Sequence, residues 1–372
     1  MPITKIDRKK DGLQGYRVRV NYTDAHGISR RKEKIVYGLP EAKYAERRLA
    51  MQIGEAPIKI TIADLCKEYL AAKKPSVRAT SYAEVEKKLR LYILPLLGDY
   101  DISKVTPRVL QQWKDYLNGK ELSVTTKKNA FTTFRAVFNF AERMGYISTN
   151  PLKNIDNFVE VEFKPHDEMQ YYTPEEFLQY IAVAREAATT PLYRGYYVFF
   201  AMAYYTGMRK GEINALRWSD ISGNVIKVRR SINQKAATDI ETPPKNRSSI
   251  RDIQMPQPLI EILKEHKAMQ MQSDGFSSSW RVCGGHSCLR DTSIDKANRR
   301  YAEAAGLPRI RIHDFRHSHA SLLCNEGINI QEIARRLGHS DIQTTWQVYA
   351  HLYPREEERA LQILNKINVN SQ

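Results

Sequence analysis

The stretch from Arg309 to Tyr353 constrains the chain more than any other. Three polar signatures follow one another in it: His313-x-x-Arg316, then Leu337-Gly338-His339-Ser340, then Tyr349 ten residues after His339. Between them Leu322, Leu323, Ile330, Ile333 and Leu337 recur at helical spacing, so the connecting segments read as short helices with one apolar face each. Short helices that must bury those faces turn back on one another. Two imidazoles, a guanidinium and a phenol are thereby brought toward one place, and the rest of the chain has to say what that place binds.

The strongest compositional signal is charge. The 372 residues hold 58 Lys+Arg against 42 Asp+Glu, a formal net charge of +16. A surplus of this size favours a polyanionic partner, nucleic acid first among them. It is spread through the N-terminal, middle and C-terminal parts alike, so the whole length can track a phosphate backbone. No apolar run approaches the roughly 20 residues that a membrane span needs, and no apolar segment of a signal peptide follows Met1. The chain is expected to have no membrane partner and to be cytoplasmic, acting at the nucleoid. Cys66, Cys283, Cys288 and Cys324 are scattered and read as reduced thiols. Cys283-Gly-Gly-His286-Ser-Cys288 lacks a second ligand pair, so it reads as a glycine-rich loop, with no metal expected.

Patterning divides the chain into three. Residues 1–56 form a small sheet: Tyr16, Val18, Val20 and Tyr22 alternate with Arg17, Arg19 and Asn21, and a second strand runs from Ile28 to Tyr37 before a helix from Glu41 to Gln52. The basic residues Arg17, Arg19, Arg30 and Lys32 suggest a sheet that enters a DNA major groove; a solvated basic edge is the plain alternative. Residues 57–162 read as all helical, with helices expected over Thr61–Ala72, Ala79–Leu94, Pro107–Asn118 and Ser123–Met144. Phe131, Phe134, Val137, Phe138 and Phe140 make an apolar core stripe there, and Lys87, Lys88, Lys127, Lys128 and Arg135 are candidate DNA contacts on polar faces. Residues 163–372 mix α and β but are mostly helical. Thr173-Pro174-Glu175-Glu176 starts a helix, an apolar helix runs from Tyr196 to Tyr205, strands are expected at Val225–Arg230 and Ser249–Gln254, and Lys245 falls at or beside a hairpin. The fold class is thus multidomain α+β. A charged helix is expected from Arg355 to Ile367, with an apolar stripe that can pack on its own domain or dock on a neighbouring subunit.

Six polar residues ask for a common explanation: Arg209, Lys245, His313, Arg316, His339 and Tyr349. Two planar, always-charged guanidiniums suit two non-bridging phosphate oxygens and the extra charge of a pentavalent transition state. A tyrosine is a competent nucleophile at phosphorus, a lysine can protonate a departing 5′-oxygen, and a histidine can accept the phenolic proton or hydrogen-bond the phosphate. No cofactor is required.

In these motifs the chain resembles the tyrosine recombinases, or phage integrase family. Thr206-Gly207-Met208-Arg209-Lys210-Gly211-Glu212-Ile213 matches the first-arginine motif, and Pro244-Lys245-Asn246-Arg247 the hairpin lysine. His313-Asp314-Phe315-Arg316-His317, Leu337-Gly338-His339-Ser340 and Tyr349 match the remaining boxes, and Ile93-Leu94-Pro95-Leu96-Leu97-Gly98 resembles the core-binding domain. The N-terminal sheet is similar to the arm-binding domains of phage and conjugative-element integrases. The resemblance implies that Arg209 and Arg316 bind the scissile phosphate, Lys245 protonates the 5′-oxygen, His313 is base or phosphate ligand, His339 hydrogen-bonds the phosphate, and Tyr349 forms a 3′-phosphotyrosyl intermediate. It also implies double-stranded DNA at core and arm sites as partner, a homotetramer, strand exchange through a Holliday junction, and an accessory DNA-bending or excision protein. A chromosome-dimer resolvase and a non-catalytic DNA-binding regulator are the alternatives. Glu212 and Asp220 are expected to support Arg209, His317 and His319 to cap or pack their helix, Trp346 to lie in core or interface, and Tyr353 is the rival nucleophile.

Overall fold

Val18 and Val20 occupy alternate positions of one strand and are buried, which sets the inner face of the N-terminal sheet. The computed structural model describes residues 3–23, 29–52, 59–160, 169–234, 240–242, 247–352 and 361. The chain divides into two units, Met1–Phe163 and Lys164–Gln372.

In the first unit, β1 (Ile3–Lys10), β2 (Leu13–Thr23) and β3 (Ser29–Tyr37) make an antiparallel meander, and α1 (Leu39–Gln52) packs Ala42 and Ala45 against Val18. The pattern reading missed β1, whose residues are mostly exposed, so that little apolar alternation marks it. The helices follow: α2 (Ile62–Lys73), α3 (Ala79–Tyr92), the four-residue α4 (Leu94–Leu97), α5 (Pro107–Asn118) and α6 (Val124–Arg143). The starts are set by side-chain caps from Thr61, Thr106 and Ser123, each accepting from a backbone N–H of the first turn. Trp113 sits at the centre. Its indole donates to the Tyr92 carbonyl at 2.7 Å, and its ring meets Phe134 edge-on at 5.0 Å. The phenylalanine stripe of α6 is buried around it, as expected of a core face. Helix α1 rests on the end of α6, where the Arg47 guanidinium lies 3.9 Å from the Tyr146 ring centre.

The second unit is built around α8 (Pro191–Thr206), a helix apolar on every side and therefore central. It starts earlier than the apolar run alone suggests, because Thr190 caps it and Pro191 takes the first-turn position. Helix α7 (Pro174–Glu186), opened by the Thr173/Glu176 capping box, packs beside it. Phe200 of α8 meets Tyr180 at 5.4 Å and Phe315 at 5.2 Å. After α9 (Lys210–Ala215) come β4 (Ile221–Ser222), β5 (Val225–Val228), β6 (Ser231–Asn233), β7 (Ile240–Thr242) and β8 (Arg251–Gln254). They form a β4-β5-β8 sheet and a β6-β7 hairpin. The strands are shorter than expected: β5 stops at Val228, and residues 247–249 form a tight helical turn ahead of β8. The helices α10 (Gln257–Met271), α11 (Asp291–Ala304), α12 (Asp314–Asn325), α13 (Ile330–Leu337) and α14 (Ile342–Tyr349) complete the unit. The expected tail helix and Tyr353 lie outside the described residues, apart from Leu361. No described helix is long and apolar enough to cross a membrane.

Two histidines are buried in this unit without a carboxylate. His266 meets the Val282 carbonyl at 2.7 Å and is pushed by burial to about 4; His319 meets the Tyr204 carbonyl at 2.8 Å and is pushed by burial to about 3. In the unfolded chain each takes its proton near pH 6.5. Between that pH and the folded values the unfolded chain holds the extra protons. The stabilisation is therefore complete above about pH 6.5 and drains as the pH falls. Urea unfolding at pH 7, 6 and 5 is expected to show a loss of about 1 kcal/mol per pH unit for each such histidine below pH 6, and His319→Phe, if that variant folds, is expected to lower the slope by that one share. A flat profile contradicts the assignment.

Candidate active site

Three successive carbonyls at the C-terminal end of α13 lack partners within the helix, as the last turn of any helix must. Each receives a guanidinium. Arg251 Nε donates to the Arg336 carbonyl at 2.6 Å, Arg316 donates to that of Leu337 at 2.7 Å, and Arg209 donates to that of Gly338 at 3.4 Å. The helix dipole places partial negative charge at this end, which favours the cations. Gly338 makes the approach possible. It adopts a left-handed φ of +68°, and a Cβ there would lie 2.9 Å from Arg251.

Arg316 is only 3% exposed, and among the described residues none of its acceptors is charged. Besides Leu337 they are the Gly207 carbonyl at 2.7 Å and His339 Nε2 at 2.8 Å. Gly207 ends α8 at φ +63°, and a Cβ there would meet the His319 ring at 2.7 Å. Burial, with the Arg209 charge next, lowers Arg316 to about 9. The residue is a buried cation with an unmatched charge, the condition that an incoming anion relieves.

Arg209 caps α9. Glu212, one turn on, accepts from its backbone N–H at 2.9 Å and from its guanidinium at 3.0 Å. The same carboxylate takes both terminal nitrogens of Arg251, at 2.9 and 3.2 Å, and Glu212 and Arg251 have side chains only 4% exposed. Burial works to raise Glu212, but the Arg251 hydrogen bond and the charges of Arg251 and Arg209 hold it below the usual carboxylate range. Glu212 supports Arg209 as expected. Asp220 does not: it accepts from the Arg217 backbone and pairs with Arg230 at 3.1 Å.

His339 is held from both sides, by Arg316 at Nε2 and by the Thr345 hydroxyl at Nδ1, 2.7 Å away. Burial, then the Arg316, Arg209 and Arg251 charges, lower it to about 4, so it is neutral at pH 7. Thr345 stands one helical turn before Tyr349 and is fully buried. Tyr349 itself is 2% exposed, packed among Ala320, Cys324, Ile333 and Leu337. Its hydroxyl meets His317 Nδ1 at 2.6 Å. His317 packs, as expected, against His313 and Tyr349, and its Nδ1 also faces the phenol. His319 packs too, as expected. His313 is exposed and stands edge-on to His317, ring centres 5.1 Å apart, beside the Arg316 and Arg209 charges that disfavour its protonation. Trp346 is 56% exposed and is not core.

Five of the six candidates, Arg209, His313, Arg316, His339 and Tyr349, lie in this cluster. Lys245 lies outside the described residues. Sequence reasoning missed Arg251, Thr345 and the contact of His317 with Tyr349. Arg251 carried a signal, since a charge shares the inward face of β8 with buried Ile253.

The expected DNA contacts distribute less simply. Arg17 and Arg19 share one face of β2 and pair with Glu33 at 3.3 and 2.8 Å. Arg30 and Lys32 pair across from Tyr22 and Val20, which puts them on the opposite face, so the four do not form one basic surface. Lys87, Lys128 and Arg135 are exposed, whereas Lys88 and Lys127 are half-buried, the latter bonded to Asn118 at 3.2 Å.

The profile of the phage integrase family matches residues 170–356, and that of the phage integrase N-terminal SAM-like domain matches residues 61–118. The chain belongs to the phage integrase family, the tyrosine recombinases. It is 26% identical over 310 residues to the ICEBs1 integrase of Bacillus subtilis, covering 80% of this chain and 81% of that one. It is 28% identical to a XerC-like tyrosine recombinase of Caldanaerobacter subterraneus, covering 98% and 99%. Among solved structures, the Tn1549 transposon integrase in complex with transposon right-end DNA superposes with a TM-score of 0.65 at 20% identity, covering 83% of this chain and 99% of that one, a likeness of fold.

Removing one side of the buried ion pair strands the other. Arg251→Met is expected to cost about 3–5 kcal/mol of stability in urea unfolding, and the double change Glu212→Leu with Arg251→Met to recover at least half of it. Additive losses would show that the two residues do not act as a pair.

Proposed function

We propose that the chain is a site-specific DNA recombinase that integrates and excises a mobile element, cleaving through a 3′-phosphotyrosyl link at Tyr349. The observation that carries this reading is Arg316, a buried guanidinium whose bonds go only to neutral acceptors, with Arg209 beside it and a buried phenol nearby. Arg209 and Arg316 hold the two non-bridging oxygens of the scissile phosphate and stabilise the charge that grows on them during attack. His339, neutral and fixed by Thr345, accepts from Arg316 at Nε2 in one tautomer; in the other, with the Thr345 hydroxyl donating to Nδ1, its Nε2–H donates to the phosphate. Lys245 protonates the departing 5′-oxygen, and His313 lies against the phosphate. No step calls for a metal or cofactor.

In this reading, residues 1–56 bind arm sites, residues 57–162 grip the core site and residues 163–372 carry the chemistry. Four copies assemble on two DNA duplexes and exchange strands through a Holliday junction, in the cytoplasm of a bacterial host, with an accessory DNA-bending or excision protein setting direction. Arg17, Arg19, Arg30, Lys32, Lys87, Lys88, Lys127, Lys128 and Arg135 are the proposed backbone contacts. Relatives named as the ICEBs1 and Tn1549 integrases favour a mobile element. The full-length likeness to a XerC-like recombinase favours the second reading, a chromosome-dimer resolvase with the same chemistry.

With a duplex spanning the junction of the element that encodes the chain, a covalent protein–DNA adduct is expected, and none from Tyr349→Phe. Arg316→Lys is expected to lower single-turnover cleavage by about 10²–10³-fold, since one point charge replaces a planar fork. Adduct formation by Tyr349→Phe contradicts the nucleophile. Reversing charge with Arg17→Glu and Arg19→Glu is expected to abolish integration and spare core-site cleavage; unchanged integration favours the resolvase.

A further inference from the structure

Tyr349 needs a proton acceptor, and the residues around its hydroxyl offer one. Among the described residues the phenol makes a single hydrogen bond, to His317 Nδ1 at 2.6 Å, with ring centres 5.6 Å apart. We propose that His317 is the general base that removes the phenolic proton as Tyr349 attacks phosphorus. This rests on the reading of Tyr349 as the nucleophile and deepens it.

The competing imidazoles are committed elsewhere. His339 is held by Arg316 at one nitrogen and by Thr345 at the other. His313 makes no hydrogen bond to Tyr349; its ring stands at 89° to that of His317 and limits how His317 can turn. His317 and Tyr349 face each other between α12 and α14, at the distance that a nucleophile and its base require. The ionisation states agree with the geometry. Burial lowers His317 below the ordinary histidine value, with Asp314 opposing and Arg311 and Arg316 adding to it, so at neutral pH Nδ1 is free to accept. Burial also raises Tyr349, with Arg316 opposing, so the phenol does not ionise ahead of attack. Proton removal therefore accompanies bond formation, as between a serine and its histidine.

The step balances. An electron pair on Tyr349 Oη forms the new bond to phosphorus while its proton passes to His317 Nδ1. The bond from phosphorus to the 5′-oxygen breaks, and that oxygen takes a proton from Lys245. In religation the 5′-hydroxyl gives its proton back to Lys245 as it attacks phosphorus, the bond from phosphorus to Oη breaks, and the His317 imidazolium returns its proton to Oη.

A base and a purely structural contact respond differently to the acidity of the phenol. Single-turnover adduct formation is measured on a nicked duplex taken from the element junction, using the full chain. His317→Asn, whose amide oxygen stands where Nδ1 stands but takes no proton, is expected to slow adduct formation by about 10²–10⁴-fold. With Tyr349 replaced by the more acidic 3,5-difluorotyrosine, the same change is expected to cost less than about tenfold, because a more acidic phenol needs less help. His313→Asn is expected to cost the same factor with either phenol. The proposal is overturned if His317→Asn loses equal factors with both phenols, or if the loss that shrinks belongs to His313→Asn. Should His317→Asn not fold, His317→Gln takes its place in the same comparison. Failure of the underlying reading is separate: it is seen as an adduct formed by Tyr349→Phe.

Discussion

The last turn of α13 organises the site. A helix end exposes carbonyls that need donors, and here the donors are Arg251, Arg316 and Arg209, reaching the carbonyls of Arg336, Leu337 and Gly338 in turn. These arginines come from β8, α12 and the start of α9, segments far apart in the chain. Their convergence depends on the left-handed turn at Gly338, where a side chain would collide with Arg251. The residue after that turn is His339, so one stretch of backbone both collects the cations and delivers an imidazole to one of them. Cations that would repel each other in an apolar interior are held by helix-end dipoles and by the one carboxylate of Glu212.

That arrangement explains why the two phosphate-binding candidates differ in their surroundings. Arg209 has Glu212 at 3.0 Å and a side chain 38% exposed. Arg316 is buried among neutral acceptors. In the proposed reading, a phosphodiester entering beside them finds one accessible guanidinium to meet first and one buried guanidinium that pairs with no carboxylate among the described residues. Removing water from the site strengthens both interactions as charge grows on the non-bridging oxygens. Tyr349, the proposed nucleophile, is kept protonated by its burial, packed at the end of α14 against α12 and α13. Through Thr345, the same helix orients His339, the imidazole proposed to meet the phosphate.

Much of this was legible in the chain. The capping residues Thr61, Thr106, Ser123 and Thr173 mark helix starts because their side chains satisfy orphan N–H groups whatever the tertiary setting. The six motif residues stand out because their chemistry is costly to bury without purpose. What stayed hidden depends on tertiary contacts. Thr345 is an ordinary helical threonine until His339 arrives beside it. His317 looks like one more member of a histidine-rich helix, and only the packing of α14 shows that it faces Tyr349. The strand β1, largely exposed, gave no alternation to read, and the faces taken by Arg17 and Arg30 depend on cross-strand register, which neither strand states alone. Asp220 shows the converse: an acid close in sequence to Arg209 spends its bonds on Arg217 and Arg230.

The central claim is that this cluster is one phosphate site whose attacking atom is Tyr349 Oη. Peptide mapping tests it most directly. The chain is trapped on a nicked junction duplex, digested with protease and nuclease, and the nucleotide-bearing peptide is sequenced by mass spectrometry. A single nucleotide adduct on Tyr349 is expected. An adduct on Tyr353, or cleaved DNA with no modified tyrosine, would contradict it.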